Sequence, residues 1–355
     1  MTHPAARALL AWYAEYARDL PWRKQHDPYA IWVAEIMLQQ TRVETVIPYY
    51  QSWMKRFPTI EHLAQATMND VLQVWEGLGY YRRAHHLQKA AVELVEHYGG
   101  QIPRSIDELK HLPGIGEYTA SAIAALAFGI DAIALDGNLR RVMARLLDLE
   151  IDPRLPEGER RTRAWAEGLL PHGQASAFNQ ALMDLGATIC LPRAPRCAEC
   201  PLQSWCQAFE HGTQPLRPVR INRKAIPHHQ AAAGVILNDG KVLIGRRPED
   251  KLLGGLWEFP GGKQEAGESF ETCLMRELCE ELDVDVKVGI SLGTFAHAYT
   301  HFRITVHAFY AEIIKGEPRA LDHTELAWVA PADLVAYPMG KIDRAIARQL
   351  QSDLT

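Results

Sequence analysis

The chain has 355 residues, of which 47% are hydrophobic and 23% are charged, and its formal net charge is −5. This composition predicts a globular protein of about two domains. An apolar run of about 18 residues and a basic-then-apolar leader are both absent, so we expect a cytoplasmic protein that is neither secreted nor membrane-spanning.

Charge is distributed unevenly along the chain. Residues 1–227 carry 25 basic and 24 acidic side chains, whereas residues 228–355 carry 13 and 19. Bulk charge therefore gives no argument for nucleic-acid binding. We interpret the short basic clusters as solvated helix faces. They lie at Arg82 and Arg83, Arg140 to Arg145, Arg160 to Arg163, and Arg217 to Lys224.

The pattern from Pro4 to about Phe209 predicts successive amphipathic helices separated by short Pro or Gly breaks. Asp27-Pro28 has the form of an N-cap followed by proline at the first helical position, and Glu35 falls inside the helix that follows. From 207 to 227 the pattern stops while prolines and basic residues accumulate, which predicts a linker. Its basic residues are Arg217, Arg220, Arg223 and Lys224.

The remainder, residues 228–355, predicts an α+β domain. The stretch AAAGVILNDGKVLIGRR indicates a strand, an Asn-Asp-Gly turn and a second strand. A helix is predicted from Phe270 to Leu282, followed by further β-rich segments. The expected fold is thus an all-α domain over residues 1–206, a linker over 207–227 and an α+β domain over 228–355.

Four of the six cysteines fall within 17 residues, at Cys190, Cys197, Cys200 and Cys206. Such crowding in a cytosolic chain indicates metal binding rather than disulfides. Zinc ribbons usually have two close cysteine pairs and this loop has one, so the spacing favours a four-thiolate iron-sulfur cluster over zinc. The spacing resembles the [4Fe-4S] loop of the endonuclease III superfamily of DNA glycosylases. Cys273 and Cys279 are interpreted as ordinary helix residues.

A hairpin motif, His111-Leu-Pro-Gly-Ile-Gly116, precedes an apolar helix predicted from about Glu117 to Phe128. Gly114 and Gly116 stand where backbone amides and a helix N-terminus converge, which suits a phosphate. Taken alone, the motif is typical of any helix connection. Together with the cysteine spacing it resembles the helix-hairpin-helix of the same superfamily, which would fix the register on DNA without reading its sequence.

Two carboxylates are candidates for hydrolysis of an N-glycosidic bond, which needs an acid for the leaving base and negative charge beside the sugar. Glu35 lies among apolar residues, where desolvation would raise its pKa, although a solvated helix face is the plainer interpretation. Asp136 begins Asp-Gly-Asn, which is also a turn and N-cap signal. In the superfamily, an aspartate about 20 residues after the hairpin is catalytic, and Asp136 has that position.

Longer motifs resemble the adenine DNA glycosylases, known as the MutY family. They are EIMLQQTRV from Glu35 and GLGYY ending at Tyr81, and the similarity covers residues 5–206. It implies that Glu35 protonates a flipped adenine, that Asp136 stabilises the cationic sugar or bonds to it, and that Tyr80 wedges into the stack. It also implies supporting roles for Arg23 and Asn138. Further DNA contacts are expected at Gln40, Thr41, Leu78, Gly114 and Gly116.

Position 118 distinguishes two enzyme types. Relatives that also nick the strand carry lysine two residues after the last hairpin glycine and form a Schiff base. This chain has Tyr118 there, and a phenol cannot form an imine. We therefore count Tyr118 with the catalytic-site residues and expect base removal without strong strand cleavage.

The second domain contains a Nudix-like box that starts at Gly262 and includes Arg276. Glu277, Glu280 and Glu281 can share a helix face and bind Mg²⁺ against a pyrophosphate, or they can form a solvated acidic face. Where the box has glycine, this chain has Asp283, which is expected to strain the turn. Many adenine glycosylases have a MutT-like C-terminal domain that recognises oxidised guanine, and the resemblance gives that role to Tyr299, Thr300 and His301.

Three functions remain open at this stage. The leading one is a monomeric, nucleoid-associated adenine glycosylase acting on double-stranded DNA with adenine opposite 8-oxoguanine or guanine. Mg²⁺-dependent hydrolysis of 8-oxo-dGTP could be an added activity of the second domain, or the main one if the helical domain is inert. The third is a damage-binding protein without catalysis.

Overall fold

The computed structural model describes residues 2–24, 26–220 and 226–354. The chain divides into two compact units, one spanning 1–65 and 86–223 and the other spanning 66–85 and 224–355, and each is described by the residues given above. Arg223 and Lys224 of the predicted linker lie outside the described residues. No helix in the described part of the chain is long and apolar enough to cross a membrane.

The helices follow the predicted all-α then α+β order. They are α1 (Pro4–Tyr16), α2 (Pro28–Leu38), α3 (Val43–Arg56), α4 (Ile60–Gln65), α5 (Met68–Trp75), α6 (Arg82–Tyr98), α7 (Ile106–His111), α8 (Glu117–Phe128), α9 (Gly137–Leu146), α10 (Pro156–Leu169), α11 (Ala175–Thr188), α12 (Gln207–Glu210), α13 (Phe270–Leu282) and α14 (Lys341–Asp353). Short 3₁₀ turns lie at Pro21–Arg23, Cys197–Glu199, Gln203–Trp205, Gln214–Leu216 and Pro331–Ala336.

In the first unit, local signals set the helix limits that matter for the site. Asp27 caps α2 by accepting the Tyr29 N–H at 3.0 Å, with Pro28 in the first turn, as predicted. Helix α2 packs against α8, and α11 packs against both α9 and α1 around Leu9 and Phe178. The C-terminal part of α2 and the first turns of α8 and α9 therefore lie close to one another.

The hairpin between α7 and α8 requires its first glycine. Gly114 has φ +76°, and a Cβ there would lie 2.6 Å from the Cβ of His86. Gly116 is the N-cap of α8 and offers no side chain to its amides. The first turn of α8 thus keeps backbone N–H groups open to a ligand, as an anion site requires.

The second unit is built on a sheet with strand order β3-β2-β1-β5-β4, and β6 pairs with β2. The strands are β1 (His228–Asn238), β2 (Lys241–Arg246), β3 (Trp257–Glu258), β4 (Asp285–Ala298), β5 (Arg303–Lys315) and β6 (Glu325–Val329). Strands β1 and β5 are parallel and the other pairs are antiparallel. Asp239 (φ +46°) and Gly240 (φ +72°) form the predicted β1–β2 turn.

Successive side chains of β1 point to opposite faces of the sheet, and each face packs against a different helix. Ala233 and Val235 join a core with Ile346 of α14, whereas Ala232 and Ile236 join a core with Leu278 of α13. Helix α13 has the predicted limits. The β-rich segments predicted after it are β4, β5 and β6, and they are followed by α14, which the sequence analysis did not predict although its apolar residues have helical spacing.

Two further expectations need correction. The segment 207–227 is not wholly irregular, since it contains α12 and a 3₁₀ turn, and Arg217 is buried against Asp148 with Nε 2.8 Å from Oδ1. The interpretation of the basic clusters as solvated faces was wrong for Arg83, Arg141 and Arg145, which are all buried.

Asp283 adopts the left-handed conformation that the sequence analysis expected glycine to occupy, with φ 59° and ψ 38° after α13. An Asp283→Gly substitution is expected to raise the free energy of unfolding by about 0.5–1 kcal/mol, because glycine adopts this conformation without a Cβ penalty. Chemical denaturation would measure it. Asp283→Asn removes the same charge while keeping a side chain, and serves as the control. Equal unfolding midpoints for Asp283→Gly and the parent chain would contradict the expectation.

Candidate active site

A cavity of about 640 Å³ in the first unit brings all five predicted catalytic residues together. Its lining includes Glu35, Asp136, Tyr118, Arg23, Asn138, Gln40, Thr41 and Gly116. Gly114, also in the hairpin, does not line the cavity. Leu78, Tyr80 and residues 299–301 belong to the second unit.

Glu35 is the buried acid of this cavity. It lies on α2, is 3% exposed, and accepts the Tyr118 hydroxyl at 2.6 Å through Oε2. Burial raises the pKa of Glu35 to about 7, the nearby Asp136 adds to the rise, and the Tyr118 bond and the charge of Arg23 oppose it. The alternative of a solvated helix face does not hold. With a pKa of about 7, a large fraction of this carboxyl is protonated at neutral pH and can donate its proton.

Asp136 is both an N-cap and a wall of the cavity, so the two interpretations of its sequence are compatible. Its Oδ1 accepts the Leu139 N–H at 2.6 Å at the start of α9. Burial raises the pKa of Asp136, while hydrogen bonds from Leu139 and Asn138 and the charge of Arg141 limit the rise. The cap fixes the carboxylate at one point of the cavity wall.

Arg23 is held by Asp184, a residue that the sequence analysis missed. Its Nη1 and Nη2 donate to the two oxygens of Asp184 at 2.8 Å each, and Arg18 Nε donates to Oδ1 at 2.7 Å. The Asp184 side chain is fully buried, yet bonds to Arg23 and Arg18 keep its pKa below the ordinary value. An aspartate within the apolar run of α11 was the signal that could have indicated it.

The buried arginines of α9 connect the cavity wall with the cysteine loop. Arg141 Nη2 donates to Asn138 Oδ1 at 3.0 Å, and its Nε donates to the Cys190 carbonyl at 2.8 Å. Arg145 Nη1 lies 3.3 Å from Cys190 Sγ and donates to the Leu191 carbonyl at 2.6 Å. The guanidinium groups thus bond to the backbone of the loop, which explains their burial.

All four loop cysteines line one small cavity in the first unit, together with Arg145, and none of them forms a disulfide. Burial raises the pKa of Cys200 to about 12, and the other cysteines add to the rise. Among the described residues, no group of three or more His, Cys, Asp or Glu is arranged to hold a metal ion. Cysteine sulfurs are the ligands of iron-sulfur clusters, so four cysteines that line one cavity fit a four-cysteine cluster. A cluster contains several irons, and its ligands are therefore farther apart than those of a single metal ion.

Three carboxylates of the acidic box in the second unit form ion pairs with Arg276. Arg276 binds Glu268 at 2.7 Å, Glu277 at 3.0 Å and Glu280 at 3.3 Å. Glu281 is not part of this group. Instead, its Oε2 accepts the Gly261 N–H at 3.0 Å, and burial raises its pKa to about 7.

The loop Tyr299 to His301 has mixed exposure. Tyr299 stacks on Phe302, with ring centroids 4.7 Å apart, and burial raises its pKa to about 12. The Thr300 hydroxyl contacts the Tyr80 hydroxyl within the same unit, and His301 is exposed. The structure therefore brings two of the predicted DNA contacts, Tyr80 and Thr300, side by side.

The hairpin, the capped aspartate after it and the buried glutamate facing the same cavity define the class of base-excision DNA glycosylases. Residues 33–167 match the model of the HhH-GPD superfamily of base excision DNA repair proteins, and residues 232–349 match that of the NUDIX domain. The human adenine DNA glycosylase is 35% identical over 85% of this chain and 66% of its own length, just under two thirds. The rat enzyme is 35% identical over 88% of this chain and 71% of its own.

The chain belongs to the adenine DNA glycosylase family. Among solved structures, a thermostable thymine-DNA glycosylase is 32% identical with a TM-score of 0.54, over 58% of this chain and 95% of that one. That likeness concerns the helical part. The Nudix match accounts for the sheet of the second unit, so the predicted fold class is confirmed.

Proposed function

We propose that this chain removes adenine from DNA by hydrolysing its N-glycosidic bond, without cutting the strand. The observation that carries the proposal is the pair of Glu35, whose pKa burial raises to about 7, and Asp136 in one cavity next to the hairpin. The acid makes adenine a better leaving group, and the carboxylate stabilises positive charge on the sugar, by electrostatics or through a transient bond. Double-stranded DNA is the partner, and the hairpin amides bind its phosphates.

We infer that the opposite base is 8-oxoguanine or guanine and that the second unit reads it through Tyr299, Thr300 and His301. The contact between the Tyr80 and Thr300 hydroxyls supports this, because it joins the predicted wedge to the predicted reading loop. A monomer in the cytoplasm, associated with the nucleoid, stays a prediction for the chain.

The direct test is release of labelled adenine from duplexes with adenine opposite 8-oxoguanine, guanine or thymine. We expect release for the first two and intact strands until alkali is added. Borohydride should trap no protein on DNA, because Tyr118 cannot form an imine. Efficient trapping would contradict the proposal, and binding of mispairs without release would favour a damage-binding protein.

We also propose that Cys190, Cys197, Cys200 and Cys206 hold a [4Fe-4S] cluster. Their shared cavity and the two arginines bound to the loop backbone support this assignment. Anaerobically purified protein should contain about four irons per chain, with visible thiolate-to-iron absorbance. Cys200→Ser should lose iron, whereas Cys279→Ser, an exposed cysteine on α13, should keep all of it.

Removing the Tyr118 hydroxyl should change the pH dependence of the reaction. The bond from Tyr118 stabilises ionised Glu35, so Tyr118→Phe should raise the pKa of Glu35 further. Since the protonated form is the acid, the falling limb of the single-turnover profile should move to higher pH by roughly one unit. Tyr16→Phe, at an exposed position, is the control. A limb that stays in place or moves to lower pH would contradict this role.

A second candidate function is Mg²⁺-dependent hydrolysis of 8-oxo-dGTP in the second unit. Two box carboxylates support it, since Glu281 binds the Gly261 amide and Glu277 packs so closely on Gly262 that a Cβ there would lie 2.3 Å from its carboxylate. Glu277, Glu280 and Glu281 would supply the magnesium ligands. Pyrophosphate release that disappears in Glu280→Gln would establish this activity. No release from either protein would leave recognition of the damaged base as the role of the unit.

A further inference from the structure

A group of hydrogen bonds, which we call the clasp, fastens α5 to the start of α14 within the second unit. Arg344 Nε donates to Glu76 Oε1 at 2.6 Å, and its Nη2 donates to Oε2 at 2.9 Å. The Met339 N–H donates to the same Oε2 at 3.1 Å. One turn earlier on α5, Gln73 Nε2 donates to the Ala336 carbonyl at 2.9 Å.

Arg344 has little freedom in this arrangement. Besides the two bonds to Glu76, its Nη1 donates to the Leu334 carbonyl at 2.8 Å and its Nη2 to the Tyr337 carbonyl at 2.5 Å. The Arg344 and Glu76 side chains are 16% and 22% exposed. A two-pronged pair that is shielded from water and tied to backbone carbonyls is far more rigid than an exposed ion pair.

The clasp lies directly before the loop formed by residues 77–81. Glu76 is the C-cap of α5, and the chain then turns through positive φ at Gly77 (93°), Gly79 (78°) and Tyr80 (49°). Beyond the loop, His85 Nε2 lies 2.9 Å from the Gly254 carbonyl. A loop with such turns takes its path from its fixed ends, and both ends are fastened to the C-terminal part of the chain.

The Tyr80 ring is 37% exposed and stacks under the Arg83 guanidinium at 5.3 Å. Arg83 Nη2 in turn donates to the Gly79 carbonyl at 3.1 Å. The direction of the ring is therefore set by the loop backbone, by Arg83 and by the hydroxyl contact with Thr300, rather than by a packed core. A displacement of Glu76 would therefore displace the loop and change the direction of the Tyr80 ring.

We propose that Arg344 and Glu76 are positioning residues for Tyr80, so that a residue close to the C-terminus controls how well the enzyme turns adenine out of the duplex. This rests on the proposed function, in which Tyr80 enters the base stack. Neither residue lines the cavity with Glu35 and Asp136. Loss of the clasp should therefore impair base flipping and leave the chemical step intact.

The test uses two substrates that differ in the cost of flipping. Adenine opposite 8-oxoguanine must be unpaired and unstacked, whereas adenine opposite an abasic site has no partner to lose. In single-turnover assays at saturating enzyme, Arg344→Met and Glu76→Gln should excise the first about tenfold more slowly and the second within about twofold of the parent. Fluorescence of 2-aminopurine at the target position should rise less in both variants.

Matched variants keep the outcome interpretable. Arg348→Met removes an exposed arginine one turn further along α14 and should behave like the parent chain. The double variant Glu76→Gln/Arg344→Met should be slower than the parent by clearly less than the two single effects combined, because both substitutions remove the Glu76–Arg344 pair. If Arg344→Met does not fold, Glu76→Gln, which keeps the side-chain shape, decides the question.

Equal slowing on both substrates, parent-like 2-aminopurine fluorescence in both variants, or additive single effects would each overturn the positioning role. A parent chain that releases no adenine from either duplex would instead refute the proposed function. The two failures are thus distinguishable.

Discussion

A Glu35→Gln enzyme is expected to release adenine about 10²- to 10⁴-fold more slowly than the parent, the usual contribution of a general acid. Glutamine keeps the shape of the side chain and can still accept the Tyr118 hydroxyl bond, but it has no proton to give to the leaving base. Single-turnover release from an adenine:8-oxoguanine duplex would measure the loss. Glu44→Gln, on an exposed position in the first turn of α3, should leave the rate unchanged.

The pH dependence gives a second measurement of the same residue. Because Glu35 has a pKa of about 7 and acts while protonated, the parent rate should fall about tenfold per pH unit above that value. The same pKa also makes the stability of the fold depend on pH, because the pKa of Glu35 in the folded protein exceeds its ordinary value of 4.5. The contribution of Glu35 to the free energy of unfolding is therefore complete below about pH 4.5 and is lost as the pH rises through 7. Glu35→Gln should therefore lose less thermal stability than the parent between these pH values. A parent-like decline would show that Glu35 does not titrate there.

The second large effect is expected at Asp136. Asp136→Asn should lower single-turnover release by about 10³-fold, because a neutral amide cannot stabilise positive charge on the sugar. Asparagine is also a good N-cap, so the bond to the Leu139 N–H and the start of α9 should persist. Folding and binding of mispaired DNA should be retained.

The matched control is Asp27→Asn, which makes the same change at the N-cap of α2. Its excision rate should equal that of the parent. Asp136→Ala would add the loss of the cap, about 1 kcal/mol of stability, to the loss of charge. A fully active Asp136→Asn protein would remove Asp136 from the mechanism and return it to the plain N-cap interpretation.

Local signals explain which parts of this molecule could be predicted from the sequence. The limits of α8 and α13, the cap at Asp27 and the turn at Asp239 all depend on residues within a few positions of one another. The hairpin and the cysteine spacing were also short patterns. Each of them could be read without knowing what lies elsewhere in the chain.

Partners distant in sequence explain the rest. Asp184 accepts hydrogen bonds from Arg23, which is 161 positions away in the sequence, and Glu76 accepts them from Arg344, which is 268 positions away. The burial of Arg141 and Arg145 depends on carbonyls of the cysteine loop, so their charges alone indicated the wrong environment. Periodicity gives no information about which distant groups will satisfy a buried charge.

The second unit combines two stretches of the chain that are far apart in sequence, and this affects how it folds during synthesis on the ribosome. Residues 66–85 emerge long before their partners, since β1 begins only at His228. At translation rates of roughly 5–20 residues per second, this segment waits on the order of ten seconds or more for the sheet. During that time Gln73 and Glu76 lack the partners that they bond in the folded chain, the Ala336 carbonyl and Arg344. A nascent chain stalled before residue 228 should therefore be cut by a protease within residues 66–85 more readily than the full 355-residue chain.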